Sequence, residues 1–160
     1  MTFCGVSVAL SSHFLFMEEA LAEARASARL DEVPVGCVLV QGGRVIAKTG
    51  NRTRTLCDPT AHAEILALRQ AAQYLQTLFL TDCDLYVTLE PCAMCAQALA
   101  WARIRHVYFG AYDPKSGGLT HGARVFDHPT CHHKPGHTGG LLEKETGLLL
   151  QTFFQDKRPL

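Results

Sequence analysis

The sequence predicts an α/β sandwich built on a mixed sheet. Three observations carry this reading. An apolar run at residues 35–40 is followed by a Gly-Gly turn and a return strand. Two later strand-like runs each neighbour a helical pattern. Helical spacing of apolar residues also closes both ends of the chain. A hairpin followed by strand–helix–strand crossovers makes the first strand neighbours antiparallel and the later ones parallel.

Each element has its own signal. Ser11 and Ser12 offer N-caps for a first helix. Phe14, Met17, Leu21, Ala24 and Ala28 then recur at the three- and four-residue spacing of one helical face. Residues 1–12 read as a short, frayed lead-in. Pro34 ends the following link. Residues 35–40 are apolar without alternation, as in a strand covered on both faces. Gly42-Gly43 is a hairpin signal, and Val45, Ile46 and Ala47 form the returning strand. Residues 51–60 are polar and irregular. Thr60 is placed to cap a helix from about Ala61 to Leu75, with Ile65, Leu68 and Ala72 on one face. Residues 84–89 read as a strand. Pro91 opens a helix at a position where its missing N–H costs little, and that helix carries Met94, Ala98 and Trp101. Residues 105–110 give a further strand. Residues 112–140 form a loop rich in Gly, His and Pro. A loop of that length inside a compact domain is usually functional, which makes it a candidate substrate surface. Leu142, Thr146, Leu149, Leu150, Phe153 and Phe154 mark the apolar face of a last helix.

The 160 residues are expected to form one domain, with a core over about 13–158. Apolar residues make up 48% and charged residues 19% of the chain, which excludes a disordered tail. No apolar run approaches the roughly 20 residues that span a bilayer. The N-terminus has no Lys or Arg before Arg25, so it lacks the charged region of a secretory signal. Seven cysteines are present: Cys4, Cys37, Cys57, Cys83, Cys92, Cys95 and Cys131. An odd count without an export signal argues against a disulfide framework and for a reducing cytoplasm. Cys37, within an apolar run, reads as a small core residue. The formal net charge is zero, so any nucleic-acid contact must come from a local basic patch.

The informative text is His62-Ala63-Glu64 followed by Pro91-Cys92-Ala93-Met94-Cys95. Either half alone is weak. Together, with each half at an expected helix start, they supply three zinc ligands, His62, Cys92 and Cys95. A catalytic zinc keeps its fourth position open for water. Cys92 and Cys95 are three apart, neighbours on one helical turn. Two helix N-termini aimed at the metal would offset the two thiolates and lower their pKa values. His62 and Glu64 lie roughly 200° apart around an ideal helix. They converge only if the metal sits off the end of the helix, with Glu64 beside the metal's water. Two other readings compete. A structural zinc would take a fourth ligand from Cys57, Cys131 or a loop histidine. A thiol–disulfide pair would leave His62 and Glu64 without a role.

At these residues the chain resembles the bacterial tRNA-specific adenosine deaminases of the cytidine deaminase-like superfamily. Their metal pattern is that of zinc deaminases acting on nucleobases. The likeness runs over about 14–158. It includes Glu32-Val33-Pro34-Val35-Gly36, Asn51-Arg52, residues 58–65, residues 85–95, Phe109-Gly110-Ala111 with Asp113 and Lys115, and Phe153-Phe154. The resemblance implies a three-layer α-β-α sandwich with a mixed five-stranded sheet. It implies one zinc per subunit, held by His62, Cys92 and Cys95, with Glu64 as the proton shuttle. It implies hydrolysis of adenosine to inosine at the wobble base of a tRNA anticodon, by a zinc-activated water attacking C6 with release of ammonia. It also implies a homodimer whose tRNA site uses both subunits. For substrate contacts, it implies that Asn51 hydrogen-bonds the target nucleotide and that the Ala63 N–H reads the base. Thr88 to Glu90 would line the pocket wall, and Asp113 would meet the anticodon backbone or sugar.

The chain departs from the usual family text in the long loop, at residues 116–122 and at His132-His133-Lys134 after Cys131. His121, His128, Cys131, His132, His133 and His137 raise the question of a second metal. Their spacing matches no standard zinc pattern, and loop imidazoles bonded to backbone are the plainer reading. Arg52, Arg54, Lys115, Arg124, Lys134, Lys157 and Arg158 are the expected basic contacts. The alternative function is deamination of free nucleobases or nucleosides of guanine or cytosine type, which needs no basic patch. A zinc-folded interaction module is a third reading, and it has no use for Glu64.

Overall fold

In chain order, a computed structural model gives α1 (Gly5–Arg29), β1 (Gly36–Gln41), β2 (Arg44–Gly50), α2 (Ala63–Leu75), β3 (Cys83–Leu89), α3 (Ala93–Trp101), β4 (His106–Ala111), a 3-10 turn (Val125–Asp127), β5 (Gly136–Thr138) and α4 (Glu143–Asp156). The structure describes residues 5–157, with side chains from residue 12. Expectations for residues 1–4, Cys4 included, and for Arg158 lie outside the described residues. Among the described residues, no helix is long and apolar enough to cross a membrane.

The five strands form one mixed sheet in the order β2-β1-β3-β4-β5. β1 is antiparallel to β2 and β3, while β3–β4 and β4–β5 are parallel. The hairpin is set by Gly42 and Gly43, whose φ values of 55° and 77° suit the twist of a two-residue turn. β1 is buried from Gly36 to Val40, as its apolar run requires.

Side-chain parity sorts the sheet into two faces. Cys37, Leu39, Leu85, Val87, Val107 and Phe109 belong to one core cluster, with Ala67 and Ala71 of α2 and Ala96 and Leu99 of α3. Val38, Val40 and Tyr86 belong to the other, with Met17 and Ala20 of α1. Gly110 lies against Thr146, which places α4 beside α1 on that second face. Helices therefore cover both faces, giving the expected α-β-α sandwich with a mixed five-stranded sheet. Gly36 allows α1 to lie close, since a Cβ there would stand 1.9 Å from the Ala20 carbonyl oxygen.

Several local expectations need correction. α1 begins at Gly5, so Ser11 and Ser12 lie inside the helix rather than capping it, and much of the expected lead-in is helical. The N-cap of α2 is His62, not Thr60. Thr60 instead donates its N–H and hydroxyl to Asp58 Oδ1, at 2.8 and 2.7 Å, in the preceding turn. The N-cap of α3 is Cys92, one residue past Pro91. The fifth strand falls within the region read as loop. It is three exposed residues long, too short to carry a periodic signal.

Candidate metal centre and active site

His62 and Cys92 are the N-cap residues of α2 and α3, both in extended backbone and neither using its side chain to cap. The two helices thus aim their free N–H ends and positive dipole ends at one point. The end-on arrangement demanded by the His-x-Glu spacing is the one observed. Cys95 is one turn into α3 and buried.

The ligand atoms are already gathered. His62 Nδ1 lies 3.7 Å from Cys92 Sγ and 3.5 Å from Cys95 Sγ. A tetrahedral zinc with ordinary Zn–N and Zn–S lengths separates N from S by about 3.6 Å. The donor set therefore fits zinc in chemistry and in spacing, with Nδ1 as the coordinating nitrogen. Among the described residues, this is the group of three or more such side chains with metal-binding spacing. Cys57 and Cys131 do not join it, which removes the four-ligand structural site built from either.

Electrostatics within the group are strongly polarised. A hydrogen bond from the Cys95 thiol, with one from His62, holds the Cys92 thiol down at about 4. The same contact with Cys92, with burial, drives the Cys95 thiol well up. The hydrogen bond to Cys92 raises His62.

Glu64 is 4% exposed. Burial raises its pKa to about 7, with the Cys92 thiolate adding to the rise. A carboxylate poised near neutrality is suited to taking and returning a proton. It shares a cavity of about 230 Å³ with Val33, Val35, Asn51, Thr53, His62, Leu89, Glu90, Cys92, Asp113 and Ser116. That cavity shares Val33, Leu89, Asp113 and Ser116 with a groove of about 780 Å³, which runs on past Lys115, Leu150, Gln151, Phe154, Gln155 and Lys157.

The other expected contacts divide. Asn51 lines the cavity. Its Oδ1 accepts the Ala63 N–H at 2.9 Å, so that N–H is engaged within the protein rather than left to read a base. Thr88 does not line the cavity. Its parity puts it on the α1/α4 face, where its Oγ1 accepts the Gly36 N–H at 3.1 Å; its neighbour Leu89 faces the cavity instead. Glu90 borders the cavity, but its carboxylate is taken by the loop over residues 113–121. It accepts the N–H groups of Asp113, Thr120 and His121 at 3.0, 2.8 and 3.0 Å. Burial alone would raise its pKa, but these bonds and one from the His121 ring hold it at about 2. Asp113 lies at the junction of cavity and groove, and its Oδ1 accepts the N–H groups of Lys115 and Ser116.

Three of the loop histidines bond within the protein. His121 Nδ1 contacts Glu90, His128 Nε2 contacts the Ala123 carbonyl, and His133 Nε2 contacts the Ile104 carbonyl. Cys131 Sγ donates to the His133 carbonyl. Of the basic residues, Lys115 and Lys157 line the groove. Arg54 and Lys157 both pair with Asp31, and Arg124 pairs with Asp127. Residues the sequence reading missed include Val33, Val35, Thr53 and Ser116 in the cavity wall; nothing in their types marks them out.

Residues 10–111 match the model of the cytidine and deoxycytidylate deaminase zinc-binding region, so the fold and metal centre are those of a zinc-dependent deaminase. A tRNA-specific adenosine deaminase of Agrobacterium fabrum is 56% identical over 143 residues, covering 89% of this chain and 94% of the relative. A solved structure from studies of A-to-I editing by tRNA:A34 deaminases superposes with a TM-score of 0.83 at 56% identity, covering 84% of this chain and 98% of the other. A guanine deaminase from Nitrosomonas europaea superposes with a TM-score of 0.76 at 25% identity, covering 88% and 83%. The chain belongs to the family of tRNA-specific adenosine deaminases.

Proposed function

We propose that this enzyme hydrolyses adenosine to inosine at the wobble position of a tRNA anticodon, releasing ammonia. The observation that carries the reading is the two-part recess. The cavity at the metal centre is about 230 Å³, below the roughly 300 Å³ at which small-molecule pockets usually begin. It suits a single extruded base. The adjoining 780 Å³ groove, with Lys115, Lys157 and Phe154, has room and cations for the flanking nucleotides. A free-base deaminase has no need of that groove. The guanine deaminase relative makes free guanine the specific second reading.

Bound zinc supplies a Lewis acid that makes water nucleophilic near neutral pH. His62, Cys92 and Cys95 would hold it. Glu64 takes the proton from the attacking water, delivers it to ring nitrogen N1, and assists the amine as it leaves C6 as ammonia. Asn51, fixed through Oδ1 by the Ala63 N–H, keeps its Nδ2 for an acceptor on the base. Leu89 and Val33 supply apolar wall, and Asp113 meets the sugar or backbone at the junction. A homodimer in the cytoplasm, the compartment of the proposed tRNA substrate, completes the reading. The exposed apolar face of α3, with Trp101 74% exposed and Met94 two turns before it, supports self-association.

Ammonia release decides the substrate. An anticodon stem-loop with adenine at the wobble position is expected to turn over faster than free adenosine, guanine or cytosine. Faster release from free guanine would replace this reading with the second.

A further inference from the structure

Two side chains outside the metal centre are built alike. Glu32 and Glu90 are 0% and 2% exposed, and each carboxylate is saturated by donors from one loop. Glu32 Oε1 accepts the N–H and hydroxyl of Thr55 at 2.7 and 2.8 Å. Its Oε2 accepts the Arg54 N–H at 3.2 Å and the Thr53 hydroxyl at 3.3 Å. Glu90 Oε1 accepts the N–H groups of Leu119, Thr120 and His121, at 3.3, 2.8 and 3.0 Å. Its Oε2 takes the Asp113 N–H at 3.0 Å and the His121 ring at 2.9 Å.

Both loops border the recess. The first carries Asn51 and Thr53 into the cavity; the second carries Asp113 and Ser116, with Lys115 in the groove. Neither carries a zinc ligand or Glu64, which ride on the N-termini of α2 and α3. Loops without regular structure have few ways to fix their backbone. An ionised acid gathering several N–H groups supplies strong, directional ones.

We propose that Glu32 and Glu90 are paired positioning residues, each locking one wall of the substrate recess so that the nucleotide contacts it carries are held in place. Neither has an acceptor position left for substrate, so both act through the loops. This rests on the polynucleotide reading above. It assigns Glu32 a role and moves Glu90 from substrate contact to anchor.

The test compares Glu32→Gln and Glu90→Gln, which keep side-chain size but turn an acceptor into a donor facing donors. In hydrogen exchange, Glu90→Gln is expected to lose protection at Asp113, Thr120 and His121, and Glu32→Gln at Arg54 and Thr55, with α2 and α3 unchanged. With the anticodon stem-loop, KM should rise about tenfold or more while kcat stays within about threefold and zinc content stays at wild type. Retained loop protection with an unchanged KM overturns the proposal. So does a fall in kcat at constant KM, or loss of zinc. If either variant fails to fold, His121→Ala and Thr55→Val each remove one contact, and a smaller KM rise is expected; no rise in either overturns the proposal. A wild-type enzyme inactive on the stem-loop would refute the substrate reading, while the exchange data would still decide the anchors.

Discussion

The Asn51 side chain accepts the backbone N–H of Ala63 at 2.9 Å, across twelve residues of sequence. The bond links the residue after β2 to the first turn of α2. It satisfies one of the N–H groups that a helix start leaves without an internal partner. Because the donor is a backbone N–H, it also fixes which end of the amide is oxygen. Asn51→Asp keeps the acceptor but loses the Nδ2 donor. The variant is expected to melt near wild type and to lose about tenfold or more in kcat/KM. Unchanged kcat/KM would dismiss the donor role.

Cys92 is the half-buried ligand, and its thiol is held well below the ordinary value. Cys92→Ser replaces a soft thiolate by a neutral hydroxyl and leaves two ligands. Metal analysis of the purified variant is expected to show zinc well below one per chain. Full occupancy would mean a different ligand set.

Glu64, the proposed proton shuttle, carries a stability cost. Glu64→Gln is expected to bind zinc and lose about 10²–10⁴-fold in kcat; wild-type turnover would end the proton-shuttle assignment. In the zinc-free protein the sign of the pH effect is fixed by its pKa of about 7, above the ordinary 4.5. Unfolding then releases a proton between these values, so stability falls as pH rises from about 4.5 to about 7. A shift of this size corresponds to about 3 kcal/mol. Zinc-free Glu64→Gln should therefore melt higher than zinc-free wild type above pH 7, with the gap closing toward pH 4.5. Melting curves at pH 5 and pH 8 measure it.

Gly36→Ala would drive a methyl carbon into the backbone of α1, where the Ala20 oxygen and Ala24 nitrogen stand 1.9 and 2.5 Å away. Neither atom is a flexible side-chain end, so the helix must shift. A loss of about 3 kcal/mol or more is expected in urea unfolding. A loss below about 1 kcal/mol would show that α1 re-seats freely.

The sheet was legible where pattern and turn chemistry agree. Residues 35–40 with Gly42-Gly43 specify a covered strand and its hairpin. The metal centre was legible because two short motifs at helix starts constrain each other. The starts of α2 and α3 were misread for one physical reason. His62 and Cys92 occupy cap positions as ligands, so the usual capping preferences pointed to Thr60 and Pro91 instead. Thr88 was misplaced because strand parity, which turns it to the α1/α4 face, becomes visible only once the register is known. β5 escaped notice because three exposed residues carry no alternation. Glu90 took its pocket-wall role from the resemblance, whereas the partners of its carboxylate lie 23 to 31 residues ahead.

The placement of the ligands on two helix starts has a further meaning in polymer terms. His62 and Cys92 are 30 residues apart, with the whole of β3 between them. A cross-link spanning that much chain restricts the unfolded ensemble by about 3–4 kcal/mol when treated as a simple closed ring. The metal is thus a removable clasp on the architecture as well as a reagent. A chelator would loosen the tie between α2 and α3 before any substrate is offered, and inactivation and softening of the fold would proceed together.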